Sequence, residues 1–351
     1  MTMTVPALPR PTMEIMSINE IRQTLERSEP VVLADPMLAR MNFSIQKTFY
    51  PLGFPLQFST NSEEILELAS QTWGGFRKLF DTPAMQVDAG VTEGPSGECP
   101  PSPTSRIRRH LCSIIADGEN FVISDLLHSV SSIWTTRGAL AYPNYVKYFL
   151  LESCALCHIA SRYSTPVHGA CVALDDCGIL LCGDSGAGKS TLAYACARAG
   201  WTYTTDDGSF LVNNRDENLI VGNSKLFRFR PSAEALFPEL RGRPIIQRVG
   251  AGKPSIEVTS TSLPGLHTSE FAHARYVVFL NRRQGRRQEL ISFPTEAARA
   301  FIRQQMCAVP ELLAVQQHTV ERLLERRAFE LCYADLDWAI ERLRQLARDG
   351  E

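Results

Sequence analysis

The stretch whose reading decides the fold is "LLCGDSGAGKSTLAYACARAGWTYTTDDGSF", residues 180–210. Gly183-Asp184-Ser185-Gly186-Ala187-Gly188-Lys189-Ser190 satisfies G-x-x-x-x-G-K-[ST] at each fixed position. An apolar run, "GILLC", enters the loop. An alanine-rich helical pattern, "STLAYACARAG", leaves it and stops at Gly200. Glycines let successive backbone N–H groups turn inward around a phosphate. The helix start adds its partial positive charge. Lys189 is then expected on the β- and γ-phosphates of ATP and the Ser190 hydroxyl on Mg²⁺, with Thr191 completing the nucleotide-binding segment.

The second half of the stretch ends in Asp206-Asp207, only one helix and one strand later. The helix from Lys189 to Ala199 runs about 16 Å at ~1.5 Å per residue. "WTYTT" returns about 16 Å at ~3.3 Å per residue. A right-handed βαβ crossover therefore brings the acidic pair back to the sheet edge that holds the loop, where open α/β sheets bind ligands. Neighbouring residues at a strand end point in different directions, so the two carboxylates suit two jobs. One of them is expected as the base that accepts a proton from an attacking hydroxyl, and the other as the metal contact. A solvated Asp-Asp-Gly turn is the alternative that the spacing alone leaves open.

Working outward, residues 141–351 read as an α/β domain. "VHGACVALDDCGILLCG" is two β runs around Asp175-Asp176, and "GSFLVNNRDENLIVGN" is a hairpin. "RPSAEALFPEL" reads as a short helix started by Pro231. "ARYVVFLN" and "RQELISF" read as strands flanking a solvated hairpin turn, "NRRQGRR" (281–287). Three helical patterns follow, within 294–306, 309–327 and 334–348. Residues 1–140 read as a smaller α+β region. It has a short helix at 17–28, two strands in 41–60, a helix from Ser62, a loop at 93–106, a hairpin around "ADGEN" and a strand at "SSIWTT". No chemistry-bearing motif stands out there. "PNYVKYFLLESCALCHIASRY" (143–163) is a helix joining the two parts.

The chain has 351 residues and a formal charge near −2, so it presents no basic field for nucleic acid or anionic lipid. No apolar run is long enough for a membrane span, and no signal peptide is visible. The ten cysteines read as reduced thiols of a cytoplasmic protein. "CALCH" (154–158) matches the haem-attachment spacing C-x-x-C-H. It lies mid-helix among apolar residues, so core packing is expected of it.

Residues 165–212, "TPVHGACVALDDCGILLCGDSGAGKSTLAYACARAGWTYTTDDGSFLV", resemble the catalytic domain of HPr kinase/phosphorylase. The shared features are a His-Gly start, a G-x-S-G-x-G-K-S loop, a helix and a strand ending in Asp-Asp. The resemblance implies a phosphoenolpyruvate-carboxykinase-like nucleotide fold and Mg²⁺- and ATP-dependent transfer to a serine hydroxyl of a protein or peptide. It also implies a homo-oligomer and an active-site role for His168, beside Lys189 and Ser190, with Asp206 as the base and Asp207 as the metal contact. "PELRGRPII" (238–246) resembles the family's Glu-Ile-Arg-Gly motif, which implies Glu239 as a metal ligand and Arg241 as a phosphate contact. Thr191 stands where the family carries Glu. Arg228, Arg230 and Lys253 are further candidate cations. A non-catalytic ATP-binding regulator and a small-molecule kinase are the alternative functions.

Overall fold

Alternating aromatic residues open the main body of the chain. "IQKTF" and "LQFST" form an antiparallel pair, β1 (Ile45–Phe49) and β2 (Leu56–Thr60). The computed structural model describes residues 17–28, 41–94, 97–215, 217–246, 254–282, 287–306 and 309–350. Lys253 and residues 283–286 of the basic run lie outside them. Residues 1–43 form one unit and 44–351 another. In the first, α1 (Ile18–Glu26) is closed by a reciprocal Ser17–Glu20 capping box.

The second unit is mixed α/β with several sheets. Its first sheet runs β1-β2-β3-β7-β6-β5-β4, with β3 (Met85–Thr92), β4 (Thr104–Arg108), β5 (Leu111–Ile115), β6 (Phe121–Asp125) and β7 (Val130–Thr136). Helix α2 (Glu63–Trp73) buries Ile65, Leu68, Ala69 and Trp73, the stripe its spacing predicts. Two details correct the sequence reading. "MQVDAGVT" forms β3, and Thr104 already belongs to β4 rather than to the loop at 93–106. Every residue of β4 is exposed or pairs only along its edge, so no apolar alternation marks it.

After α3 (Arg137–Leu140), residues 143–163 are helical throughout. They comprise α4 (Pro143–Tyr145), a wide-turned Val146–Glu152 segment, α5 (Ser153–His158) and a second wide turn, Ile159–Tyr163. Cys154 and His158 are fully buried here. Burial pushes the Cys154 thiol up to about 12 and the His158 imidazole down to about 4. His158 Nε2 lies 2.6 Å from Ser131 Oγ, so the C-x-x-C-H spacing is core packing.

The second sheet holds β8 (Ser164–Leu174), β9 (Cys177–Cys182), β10 (Thr202–Thr205), β11 (Gly208–Val212), β12 (Leu219–Gly222), β16 (His267–Thr268), β17 (Phe271–Arg282), β18 (Glu289–Ser292) and β19 (Ala328–Tyr333). β9 is buried at all six positions, as a continuous apolar run predicts for a central strand. It leads through the glycine loop into α6 (Lys189–Arg198), which returns the chain to β10. β8 lies between β9 and β10 and is antiparallel to both, so β9 and β10 run parallel with one strand between them. β10 and β11 both pair with β8 and form almost one strand, interrupted only at Asp206-Asp207.

β19, "AFELCY", is parallel to β17 and antiparallel to β18. It separates two strands that the sequence reads as flanking a hairpin turn. Arg282 is therefore the last residue of β17 rather than part of a solvated turn. Helices α7 (Thr295–Arg303), α8 (Leu313–Leu324) and α9 (Leu336–Asp349) fall where the periodicity predicts them.

A three-stranded sheet, β13 (Leu226–Phe229), β15 (Ser255–Thr259) and β14 (Ile245–Ile246), packs on α6. Its anchor is aromatic. Phe227 stacks on Tyr203 with ring centroids 3.9 Å apart, and Tyr194 meets Phe227, Phe229 and Phe237 edge-on. Such pairs add about 0.5–1.5 kcal/mol each beyond the area they bury. "RPSAEALFPEL" forms two 3₁₀ turns, Pro231–Ala235 and Pro238–Leu240, instead of one helix. Pro238 has no N–H to continue an α-helix.

Candidate active site

The glycine loop, the acidic pair and β13 enclose one cavity of about 730 Å³. Its wall includes Ser185, Gly186, Gly188, Lys189, Ser190, Thr191, His168, Asp206 and Asp207. The distance estimate from the sequence therefore holds in space. Ser190 Oγ lies 3.4 Å from the Asp206 carbonyl oxygen, to which it donates.

Backbone geometry explains the glycines. Gly186 and Gly188 have φ of +92° and +99°, a region costly for other residues. A Cβ on Gly188 would stand 2.6 Å from Tyr333 Oη. Tyr333, at the end of β19, also donates to the Ala187 carbonyl at 3.3 Å and braces the loop from behind. Gly188→Ala should thus destabilise the fold by about 1–3 kcal/mol through strain and the clash. Tyr333→Phe in the same chain should recover part of the loss. Denaturant titration of the single and double variants checks this. Equal stability of Gly188→Ala and wild type would sink it.

Lys189 is buried, and its Nζ donates to the carbonyls of Gly183 at 2.7 Å and Asp184 at 3.1 Å. Burial lowers its pKa, partly countered by Asp207. Gly183, Asp184 and Ala187 shape the loop through these backbone contacts without lining the cavity.

The two carboxylates occupy opposite environments. Asp206 is 5% exposed, and burial raises its pKa to about 6. The Arg228 backbone N–H, 2.8 Å from Asp206 Oδ2, works against that rise. Asp207 is half exposed. His168 Nδ1 lies 3.1 Å from its Oδ1, and this contact first of all lowers its pKa. Gln305 Oε1 accepts the His168 backbone N–H.

A carboxyl whose folded pKa exceeds its unfolded value costs stability once ionised. Asp206 thus leaves the fold most stable below the ordinary carboxylate value of 3.8 and removes that stability as pH rises through about 6. The shift corresponds to about 3 kcal/mol at ~1.4 kcal/mol per unit. In metal-free buffer, Asp206→Asn should melt several degrees above wild type at pH 8, with the gap closing towards pH 4. A gap that is constant with pH would contradict this.

Three arginines enter the site that the loop motif does not announce. Arg282 lines the cavity from the end of β17, and Arg230 from the chain after β13. Arg228 is buried between Glu257 at 3.4 Å and Glu152 at 3.8 Å. Burial opposes its charge, but the two glutamates hold its pKa above the ordinary value. The signal for Arg228 is in the sequence. In "LFRF", Phe227 and Phe229 take the buried face, so Arg228 takes the other. Glu239 is not part of the cavity wall. Its carboxylate accepts from Tyr194 Oη at 2.7 Å and lies 3.4 Å from Arg198. Arg241 is exposed and also outside the wall.

The oxygen donors present suit magnesium, which takes hydroxyl and carboxylate ligands and keeps several waters. Ser190 and Asp207 are the residues that could hold it. Among the described residues no group of three His, Cys, Asp or Glu forms a ready-made metal cage.

No family model matches the chain, and no curated protein matches it. Among solved structures, the Hpr(Ser) kinase/phosphatase from Coxiella burnetii is similar over 53% of this chain and 99% of its own. The identity is 14% and the TM-score 0.29, a distant structural relationship. Among the described residues no helix is long and apolar enough to cross a membrane.

Proposed function

We propose that the protein is a kinase that transfers the γ-phosphoryl group of ATP to a hydroxyl group, on a nucleotide fold of the HPr kinase/phosphorylase type. The observation that carries this reading is the contact between Ser190 and Asp206, which joins the glycine loop and the acidic pair in one cavity. A glycine loop alone supports only nucleotide binding. A buried carboxylate with a pKa near 6 beside it supplies a base matched to neutral pH.

In this reading the acceptor oxygen attacks the γ-phosphorus, its proton passes to Asp206, and the bond to the β-phosphate oxygen breaks to release ADP. Lys189, Arg230 and Arg282 neutralise charge on the phosphate oxygens. When bound, magnesium adds charge neutralisation, held by Ser190 and Asp207. His168 is a positioning residue that orients Asp207. Glu239 and Arg241 take no part.

The resemblance noted in the sequence implies a serine of a protein or peptide in the cytoplasm as acceptor, and a small-molecule hydroxyl is the alternative for the same site. The buried free thiols of Cys171, Cys182 and Cys196 are in keeping with a reducing compartment. Calorimetric titration with Mg-ATP, followed by an assay for ADP and labelled products in cell extract, tests the reading. Binding with no ADP formed under any condition would replace it with a non-catalytic nucleotide-binding regulator.

A further inference from the structure

A second cavity, of about 330 Å³, also borders the acidic pair. It shares Asp206, Asp207 and Arg228 with the first. The remaining wall is mostly apolar and comes from three places. Leu52, Trp73 and Phe76 come from the first sheet and α2 with its following turn. Phe149 and Leu156 come from the helical segment 143–163, and Phe210 from β11.

Four of these side chains, Phe76, Phe149, Leu156 and Phe210, are only partly buried, although each packs against the core. Their free faces are available to a ligand. The chain holds this wall firmly. Leu52 keeps φ at +49° although it is not glycine, and Trp73 is 2% exposed with its ring against Phe49 and Phe58.

In-line phosphoryl transfer needs the acceptor oxygen and the leaving oxygen on opposite sides of the phosphorus. It also needs the base at the acceptor side. A carboxylate pair that borders two cavities meets both needs, with the loop-lined cavity for ATP and the aromatic one for the acceptor. The volume falls at the small end of the range for ligand sites, about 300–1,000 Å³. It suits a compact molecule rather than the surface of a folded domain. Glu152, Asp206 and Asp207 on its wall disfavour an anionic acceptor.

We infer that the second cavity is the acceptor subsite and that it takes a small uncharged alcohol with an aromatic body. This rests on the kinase reading above. The hydroxyl oxygen forms the new bond to phosphorus, its proton goes to Asp206, and ADP leaves. Leu52, Trp73 and Phe76 thereby gain a role, since they furnish part of the apolar wall against which the acceptor sits.

The test uses the full chain and three probes, 2-phenylethanol, tyrosol and tryptophol, observed by ligand NMR and by ³¹P detection of a new phosphate ester. At least one should bind and yield ester and ADP with Mg-ATP. Phe149→Ala and the cavity-filling Leu156→Trp should each weaken probe binding at least ten-fold, with ATP affinity by calorimetry unchanged as the check on folding. ATP binding with no probe bound, or with probe binding equal in wild type and both variants, would overturn the inference and leave the nucleotide site standing. Failure of wild type to bind ATP would overturn both.

Discussion

Asp206→Asn is expected to slow phosphoryl transfer by about 10²–10⁴-fold, the range for loss of a positioned base, while ATP affinity stays within a few-fold of wild type. The asparagine keeps the shape of the side chain, and its amide oxygen still accepts the Arg228 N–H that now meets Asp206 Oδ2 at 2.8 Å. The Ser190 contact uses the backbone carbonyl, which the substitution leaves in place. What is lost is the capacity to take a proton. Single-turnover formation of ADP and of labelled product measures the effect. A variant with wild-type turnover would remove Asp206 from the role of base. One that lost ATP binding as well would instead make it part of the nucleotide seat.

Lys189→Ala is expected to weaken ATP binding at least ten-fold. A hydrogen bond to a charged group is worth about 1.5–3 kcal/mol, and one such bond already spans roughly ten- to more than a hundred-fold. Lys189 is the first helical residue after Gly188, with its ammonium inside the loop. Nothing else in the loop carries positive charge. The same change strips the Gly183 and Asp184 carbonyls of their donor, so a loss of about 1–3 kcal/mol in stability should accompany it. Calorimetry and denaturant titration separate the two effects. Unchanged ATP affinity in a folded variant would mean that phosphate does not sit in this loop.

The central part of this site was legible because it is local. Residues 180–210 contain a strand, a loop, a helix and a second strand, and fixed rises per residue suffice to return Asp206 to the loop. What the sequence does not reveal is long-range. Arg282 reaches the cavity, and Tyr333 the back of the loop, through β17 and β19, a parallel pairing set by packing of the whole sheet. "AFELCY" gives no turn or glycine signal at its ends. Glu239 failed for the opposite reason. Its letters match a family motif, but the 3₁₀ turn at Pro238–Leu240 delivers its carboxylate to Tyr194 and Arg198. The aromatic wall of the second cavity is gathered from segments some 150 residues apart, and no periodicity within one segment encodes such a meeting.

β8 carries a consequence for signalling. Thr205 is paired with Cys171 and Gly208 with His168, and the Gly169 N–H donates to the Asp207 carbonyl at 2.9 Å. The chain is thus fastened to the same strand immediately before and after the acidic pair. A segment that reports nucleotide occupancy needs two resting positions. Here a displacement of the carboxylates would break ladder bonds across the middle of the sheet. The pair therefore behaves as a fixed anvil, and a signal of occupancy would have to leave through the groups in contact with it, such as the line from Asp206 through the Arg228 N–H and its guanidinium to Glu152 in the helical segment at 143–163.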